Sequence, residues 1–346
     1  MSAALLLIGL TSGCASNVLA SRVVSAPNRV MPTMAKQVAN FAEVQAQWFP
    51  KRWTVAGSSP GVQLAVGMVE AADYGLEYKS EVIENPDGSG NFNFSFNTAH
   101  PTAEAPRRPA RGTLVLLHGI YTQKESLLPW ALALGQRGYR CILVDLRGHG
   151  DSSGEKISFG AREVADLRLV LDDLERRGLR VGEVAVFGVS YGAAIGLQWA
   201  AVDPRVRTVV ALESYSDVQR AVVGVARGQF GGVVEKISDE TFARALEKAQ
   251  RKGGFRWDAV DVSAATRQLA VPVLFIHGQR DAWVPPDHSE ALRAVAPAGS
   301  ELLLQPDDNH LTLPIRLNEL IDPVGTWFDR HLKAADAAPI DRAAEL

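Results

Sequence analysis

The apolar run Val184-Ala185-Val186-Phe187, the pentapeptide Gly188-Val189-Ser190-Tyr191-Gly192 and the small-residue stretch Ala193-Ala194-Ile195-Gly196-Leu197 follow one another without a break. A strand that passes straight into a helix must turn sharply, and the residue at the bend takes strained backbone angles. Glycines two residues before and two after Ser190 relieve the crowding that side chains there would cause. The hydroxyl is thereby held at a helix N-terminus, where backbone N–H groups and the positive end of the helix dipole stabilise a developing negative charge. The pattern reads as a nucleophile elbow, and it demands a strand on one side and a helix on the other.

From Gly112 the chain alternates short apolar runs with longer helical stretches, as in a parallel sheet buried on both faces. Strands are expected at Thr113 to Leu117, Cys141 to Asp145, Val184 to Gly188, Val206 to Glu213, Val271 to His277 and Glu301 to Gln305. Helices are expected between them, among them Leu127 to Arg137, Ala161 to Arg177 and Ala193 to Ala201. Earlier, Tyr74, Leu76 and Tyr78 alternate, as do Phe92, Phe94 and Phe96, with Asn85-Pro86-Asp87-Gly88-Ser89-Gly90 between them, which predicts an antiparallel hairpin. Ser216 to Leu269 is too long for a simple crossover and carries helical patches at Asp217 to Ala226 and Asp239 to Lys252.

A serine hydroxyl is a poor nucleophile at neutral pH, so acyl chemistry needs a base to take its proton and an acid to orient that base. Of the 7 histidines, His310 lies in the polar loop Asp307-Asp308-Asn309-His310 after an apolar strand and is taken as the base. His288 belongs to a helix opening at Pro286-Asp287. His118, His149 and His277 sit at strand ends or in a glycine loop, where fixing the loop is the expected role, and His100 and His331 fall outside any pattern. Asp281, just beyond a strand in Gly278-Gln279-Arg280-Asp281-Ala282-Trp283-Val284-Pro285, is taken as the acid; its bland alternative is capping its own turn. Asp307 and Asp308 are read as shaping the His310 loop.

These residues resemble the α/β-hydrolase superfamily, in its lipase/esterase-like and serine aminopeptidase-like branch. The order Ser190, Asp281, His310 is the family's. His118-Gly119-Ile120 resembles its H-G-x loop, residues 278–285 resemble G-x-x-D-x-x-V-P, and Asp145-Leu146-Arg147-Gly148-His149-Gly150-Asp151-Ser152 resembles D-x-R-G-H-G-x-S, expected to hold a loop through a buried Asp–Arg pair or backbone hydrogen bonds. Together the motifs span about Gly112 to Leu332. The resemblance implies an α/β-hydrolase fold with a mostly parallel eight-stranded sheet, completed by the preceding hairpin, and a small helical cap at about 216–269. It also implies an oxyanion hole from the backbone N–H groups of Tyr191 and of Ile120, with Tyr121 the alternative to Ile120.

The activity so implied is hydrolysis of a small-molecule carboxylic ester through an acyl-enzyme, with no cofactor. No metal is expected, since no C-x-x-C or H-E-x-x-H spacing occurs. Tyr121, Phe230, Trp257 and Trp283 are candidates for the substrate pocket; Phe230, Phe255 and Trp257 serve equally well as a small core of the cap. An aminopeptidase or amidase would use the same three residues with a cap carboxylate such as Glu235, Asp239 or Glu240 for the substrate amine, and a thioesterase would need no further group. Halide and epoxide chemistry normally places Asp where Ser190 stands. A non-catalytic envelope binding protein is the reading from a different class.

A formal net charge of −3 gives no basic excess for nucleic acid. The apolar run Ala3 to Leu10 is too short to span a bilayer, and Leu10-Thr11-Ser12-Gly13-Cys14 resembles a bacterial lipobox. Lipidation at Cys14 would tether the protein to the bacterial cell envelope; a plain apolar extension of a cytoplasmic protein is the alternative. Thr11 and the lack of an early Lys or Arg depart from the lipobox pattern. Cys141, in an apolar strand, reads as a small buried hydrophobe. The expected organisation is a signal and tether over 1–26, a helical extension over 27–60 with a helical spacing from Pro32 to Phe49, the hydrolase domain over 61–335 and a tail over 336–346.

Overall fold

A computed structural model of the chain describes residues 12–30, 48–84 and 90–333. The apolar run 3–10, residues 31–47 of the proposed extension and the tail 336–346 lie outside the described residues.

Eight strands form one sheet. In chain order its members are β1 (Lys51–Ala56), β2 (Gln63–Val69), β5 (Gly112–Leu117), β6 (Tyr139–Val144), β7 (Val184–Val189), β8 (Val206–Leu212), β9 (Val273–Gly278) and β10 (Glu301–Gln305), arranged β1-β2-β6-β5-β7-β8-β9-β10. The six from β5 onward are mutually parallel, and β2 is antiparallel to both β1 and β6. The hairpin β3 (Leu76–Glu84) and β4 (Gly90–Thr98) pairs only with itself, Tyr78 opposite Phe96 and Ser80 opposite Phe94. The hairpin was expected to complete the main sheet; β1 and β2 fill those places instead. Part of the reason is visible in β4, where Phe92, Phe94 and Phe96 share one face and Asn93, Ser95 and Asn97 the other. A strand with one apolar face suits an overhang better than a sheet covered on both sides.

Helices cover both faces. On one, α3 (Glu163–Arg176) and α4 (Tyr191–Val202) bury Leu167, Leu171, Ile195 and Trp199 against Val115, Leu117, Val186 and Val209. On the other, α2 (Leu128–Gln136) and α9 (Leu317–His331) bury Trp130, Leu134, Leu320 and Phe328 against Leu114, Leu116, Phe187 and Val210. Alternate residues of β5 therefore serve opposite cores, and every position of that strand is buried. Each fully buried side chain of this kind contributes roughly 1.5–3 kcal/mol.

Between β8 and β9 the chain builds α5 (Val218–Phe230), α6 (Asp239–Gly253) and α7 (Val262–Arg267). Asp217 caps α5 by accepting the Gln219 and Arg220 amides, and Gly254, at φ 69°, ends α6 in the left-handed conformation that favours glycine. Trp257 does not face the pocket: it packs on Phe255 and Phe159, with ring centroids 4.8 and 5.4 Å away, and Phe159 leads on to Tyr191. This is the small core that joins the insertion to the body. After α8 (Asp287–Val295) the chain returns through β10 to α9.

The N-terminal expectation needs correction where the residues are described. The segment expected as a tether up to Ala26 is mostly helical, within α1 (Ser12–Val24), and lies on α6. Lys248 Nζ donates to Ser16 Oγ at 2.7 Å, Ala20 and Val24 are buried, the Ala26 amide donates to the Glu155 carbonyl, and Asn28 Nδ2 donates to the Gly150 carbonyl at 2.9 Å. Ala20 and Val24 stand four apart and so share a face, but two small apolar residues are too weak a pattern to predict burial. Residues 51–56, placed in the helical extension, form β1. Among the described residues no helix is long and apolar enough to cross a membrane.

Candidate active site

Ser190 sits between β7 and α4 at φ 49° and ψ −109°, a strained conformation for a residue with a side chain. The flanking glycines are needed sterically. A Cβ on Gly188 would lie 2.6 Å from Ala193 Cα, and one on Gly192 would lie 2.3 Å from the Leu117 carbonyl oxygen. The helix can therefore start immediately after the strand only with glycine at both places.

Ser190, Asp281 and His310 are brought together from three loops at the carboxyl ends of the parallel strands. Ser190 Oγ donates to His310 Nε2 at 3.0 Å, and His310 Nδ1 donates to Asp281 Oδ2 at 2.6 Å. Asp281 Oδ1 accepts the Trp283 and Val284 amides at 2.9 and 2.8 Å. Burial pushes the Asp281 carboxyl up, but hydrogen bonds from His277 and His310 outweigh it and bring it down to about 2. Asp281 thus caps its own turn with one oxygen and meets His310 with the other.

Two backbone amides border Ser190, that of Ile120 in the loop after β5 and that of Tyr191 at the start of α4. The Gly119 carbonyl accepts from His118 Nδ1 at 2.8 Å and from Thr122 Oγ1 at 2.8 Å, which turns it into the protein. In a trans peptide the N–H points opposite to the C=O, so the Ile120 N–H is turned outward. The Ser190 carbonyl accepts the Ala194 amide within α4, and the Tyr191 N–H, first of the helix, points back out of its N-terminus. Gly119 lies against Ser190, a Cβ built on it falling 3.8 Å from Ser190 Cβ.

The loop that carries Ile120 is fixed by the Asp145 motif. Asp145, fully buried, accepts from Lys124 Nζ at 2.8 Å and from the Lys124 and Asp151 amides. Arg147 forks onto Asp166, with Nε and Nη2 each 2.9 Å from a carboxylate oxygen. The expected Asp–Arg pair is therefore two separate pairs, because Asp145 turns toward Lys124 and Arg147 toward α3.

A cavity of about 330 Å³ opens in front of Ser190. Its walls come from the loop after β5 (Ile120, Tyr121), from α5 (Val225, Gln229), from Trp283 and from the hairpin (Tyr78, Phe92, Phe94). Tyr121 and Trp283 line it as expected. Phe230 does not; it is half exposed and stands edge-on to Tyr121 at 6.0 Å. The hairpin wall was not read from the sequence: alternation gave the strands but not which surface they overhang. Glu213 was also missed as a site residue, although it stands directly after an apolar strand; it lies 3.8 Å from His310 Nδ1.

Comparison with known proteins agrees with this fold. Residues 112–266 match the family described as alpha/beta hydrolase fold. Over 219 residues the chain is 25% identical to the uncharacterized protein YfhR of Escherichia coli (strain K12), covering 61% of this chain and 67% of that protein. It is also 25% identical over 193 residues to the Bacillus subtilis (strain 168) protein named "Putative esterase YitV", covering 54% and 74%. Among solved structures, the Pyrococcus furiosus esterase Pf2001 shares the fold with a TM-score of 0.52 at 20% identity, over 74% of this chain and 93% of that one. A parallel sheet whose central strand leads into Ser190, together with these similarities, identifies the chain as an α/β-hydrolase-fold protein.

Proposed function

We propose that this chain is a serine hydrolase for esters of apolar carboxylic acids. In this reading Ser190 attacks the acyl carbonyl while His310 Nε2 takes its proton, and Asp281 holds the imidazole and balances the imidazolium that forms. The Ile120 and Tyr191 amides receive the oxyanion. His310 returns the proton to the leaving alkoxide, and a water deprotonated by His310 then releases the acid and restores Ser190.

The observation that carries the substrate class is the lining of the cavity: among the described residues no Asp, Glu, Lys or Arg contributes to it. A substrate ammonium would need a carboxylate there. The carboxylates considered for that purpose do not supply it: Asp239 pairs with Arg227 at 2.6 Å, Glu240 pairs with Arg244 at 2.8 Å, and neither they nor Glu235 line the cavity. An ester with an uncharged acyl or aryl group is favoured over an aminoacyl amide.

The test is labelling of the full chain by a fluorophosphonate beside Ser190→Ala, followed by p-nitrophenyl esters of increasing acyl length and aminoacyl p-nitroanilides. Label confined to the wild type, with ester turnover exceeding anilide turnover, is expected. A folded wild type that neither labels nor turns over any ester refutes the proposal. The sequence reading of Cys14 as a lipidation site carries a separate test: Cys14→Ser is expected to move the protein from the membrane fraction to the soluble one.

A further inference from the structure

Glu213 is the first residue after β8, and its amide donates to the Ile276 carbonyl of neighbouring β9 at 2.8 Å. β8 and β9 are parallel neighbours, so the residues just beyond their carboxyl ends reach the same imidazole from two sides. The Glu213 side chain is completely buried, and neither carboxyl oxygen has a hydrogen-bond partner. Its Oε2 lies 3.8 Å from His310 Nδ1, the nitrogen that donates to Asp281, and one ligand-type atom from each of Glu213, Asp281 and His310 lies within 4.8 Å of the others. The backbone holds Glu213 at φ 52°, a conformation that costs a residue with a side chain roughly 1–3 kcal/mol and is concentrated at functional sites.

A carboxylate with no partner in such surroundings is prohibitively costly, so the group is held as the neutral acid. Burial raises its pKa well above the usual carboxyl range, and the charges of Asp281 and Asp308 raise it further. A neutral acid beside a charged one is a proton held in reserve.

Building on the reading of Ser190, His310 and Asp281 as a catalytic triad, we propose that Glu213 is a second acid of the site, a positioning residue that orients His310 when Asp281 carries no charge. Two changes follow from neutralising Asp281. The repulsion from Asp281, which adds to burial in keeping Glu213 protonated, disappears, and His310 Nδ1 loses its acceptor at 2.6 Å. Glu213 then gives its proton to solvent, closes the 3.8 Å gap and accepts the Nδ1 hydrogen, so the imidazolium formed as His310 deprotonates Ser190 again faces a carboxylate.

The experiment compares full-length wild type, Glu213→Gln, Asp281→Asn and the double variant in p-nitrophenyl ester hydrolysis across pH, with thermal unfolding to establish folding. Neutralising the acid of a Ser-His-Asp triad outright costs about 10⁴-fold in kcat. With Glu213 standing in, Asp281→Asn is expected to lose about 100-fold or less, and its kcat to rise with pH through an ionisation absent from the double variant. Adding Glu213→Gln should carry that background to the full loss, whereas in wild type the same substitution costs several-fold; this non-additivity marks two groups serving one role. Asp281→Asn already at the full loss and insensitive to Glu213→Gln overturns the proposal while leaving the triad intact. A wild type inactive on all esters overturns both. Should Asp281→Asn fail to fold, difference infrared spectroscopy decides: a protonated-carboxyl band in wild type at pH 7 that vanishes in Glu213→Gln supports the assignment, and its absence refutes it.

Discussion

His277 Nε2 stands 3.3 Å from Asp281 Oδ2 and 2.7 Å from the Val284 carbonyl, so the last turn of β9 clamps the loop whose carboxylate meets His310. The other side of the ring accepts from Ser289 Oγ at 2.6 Å, tying that clamp to α8. Replacing His277 by Phe removes all three contacts while keeping a planar ring. The expected result is a fall in kcat of roughly 10–100-fold with KM little altered, because a displacement of about 1 Å in a supporting group costs on that order. Steady-state kinetics on one ester check it; an unchanged kcat sinks the clamp.

Gly192→Ala drives a methyl against the Leu117 carbonyl, at 2.3 Å from the oxygen. Backbone on both sides leaves nothing to yield cheaply, so a loss of about 3 kcal/mol or more is expected. Urea unfolding beside wild type measures it, and a loss under about 1 kcal/mol refutes the steric account.

Val225 lines the cavity from α5, which approaches closely because Gly224 and Gly228 lie against Trp283. Val225→Trp should fill the space an acyl chain would occupy. Long-chain esters are expected to lose roughly 10–200-fold in kcat/KM while acetyl esters change little. Equal effects on both would place the acyl group elsewhere.

His118 and His149 are fully buried with ring centroids 4.9 Å apart. Burial lowers both, to about 4 for His118 and about 3 for His149, the latter helped by the neighbouring His118. Unfolded imidazoles protonate near pH 6.5, so between about 6.5 and 4 the unfolded chain binds more protons. The stability these groups supply is present above pH 6.5 and is lost as pH falls toward 4, at up to about 1.4 kcal/mol per pH unit for each histidine. Urea unfolding at pH 7, 6 and 5 checks the slope; a flat profile contradicts it.

Lys124 is buried among Asp145, Asp151 and Glu125, with its Nζ 2.8, 2.8 and 2.7 Å from their carboxylates. Lys124→Met leaves the fully buried Asp145 without its cation and loosens the loop that carries Ile120. A loss of about 3–5 kcal/mol is expected, together with reduced ester turnover at temperatures where the variant stays folded. Thermal unfolding and kinetics together test the two consequences.

The sequence by itself determined what depends on neighbours along the chain. The runs at 113–117 and 184–188 are apolar at nearly every position or end at a glycine bend, so their strands fell within a residue or so of the expected limits. The glycines around Ser190 announced the bend for the same reason, since the clash that Gly188 avoids is with Ala193, five residues on, although the Leu117 carbonyl that Gly192 avoids belongs to the neighbouring strand β5. Tertiary structure decided the rest. Whether the aromatic face of β4 joins the sheet or overhangs a cavity, whether Ala20 and Val24 meet α6 or solvent, and whether Trp257 faces substrate or Phe159 depend on surfaces far away in sequence. Glu213 shows the limit most plainly. Its residue type and place after a strand were legible, but an unpaired carboxyl 3.8 Å from His310 exists only because β8 and β9 lie side by side, and burial and electrostatic coupling are properties of that packing rather than of any local pattern.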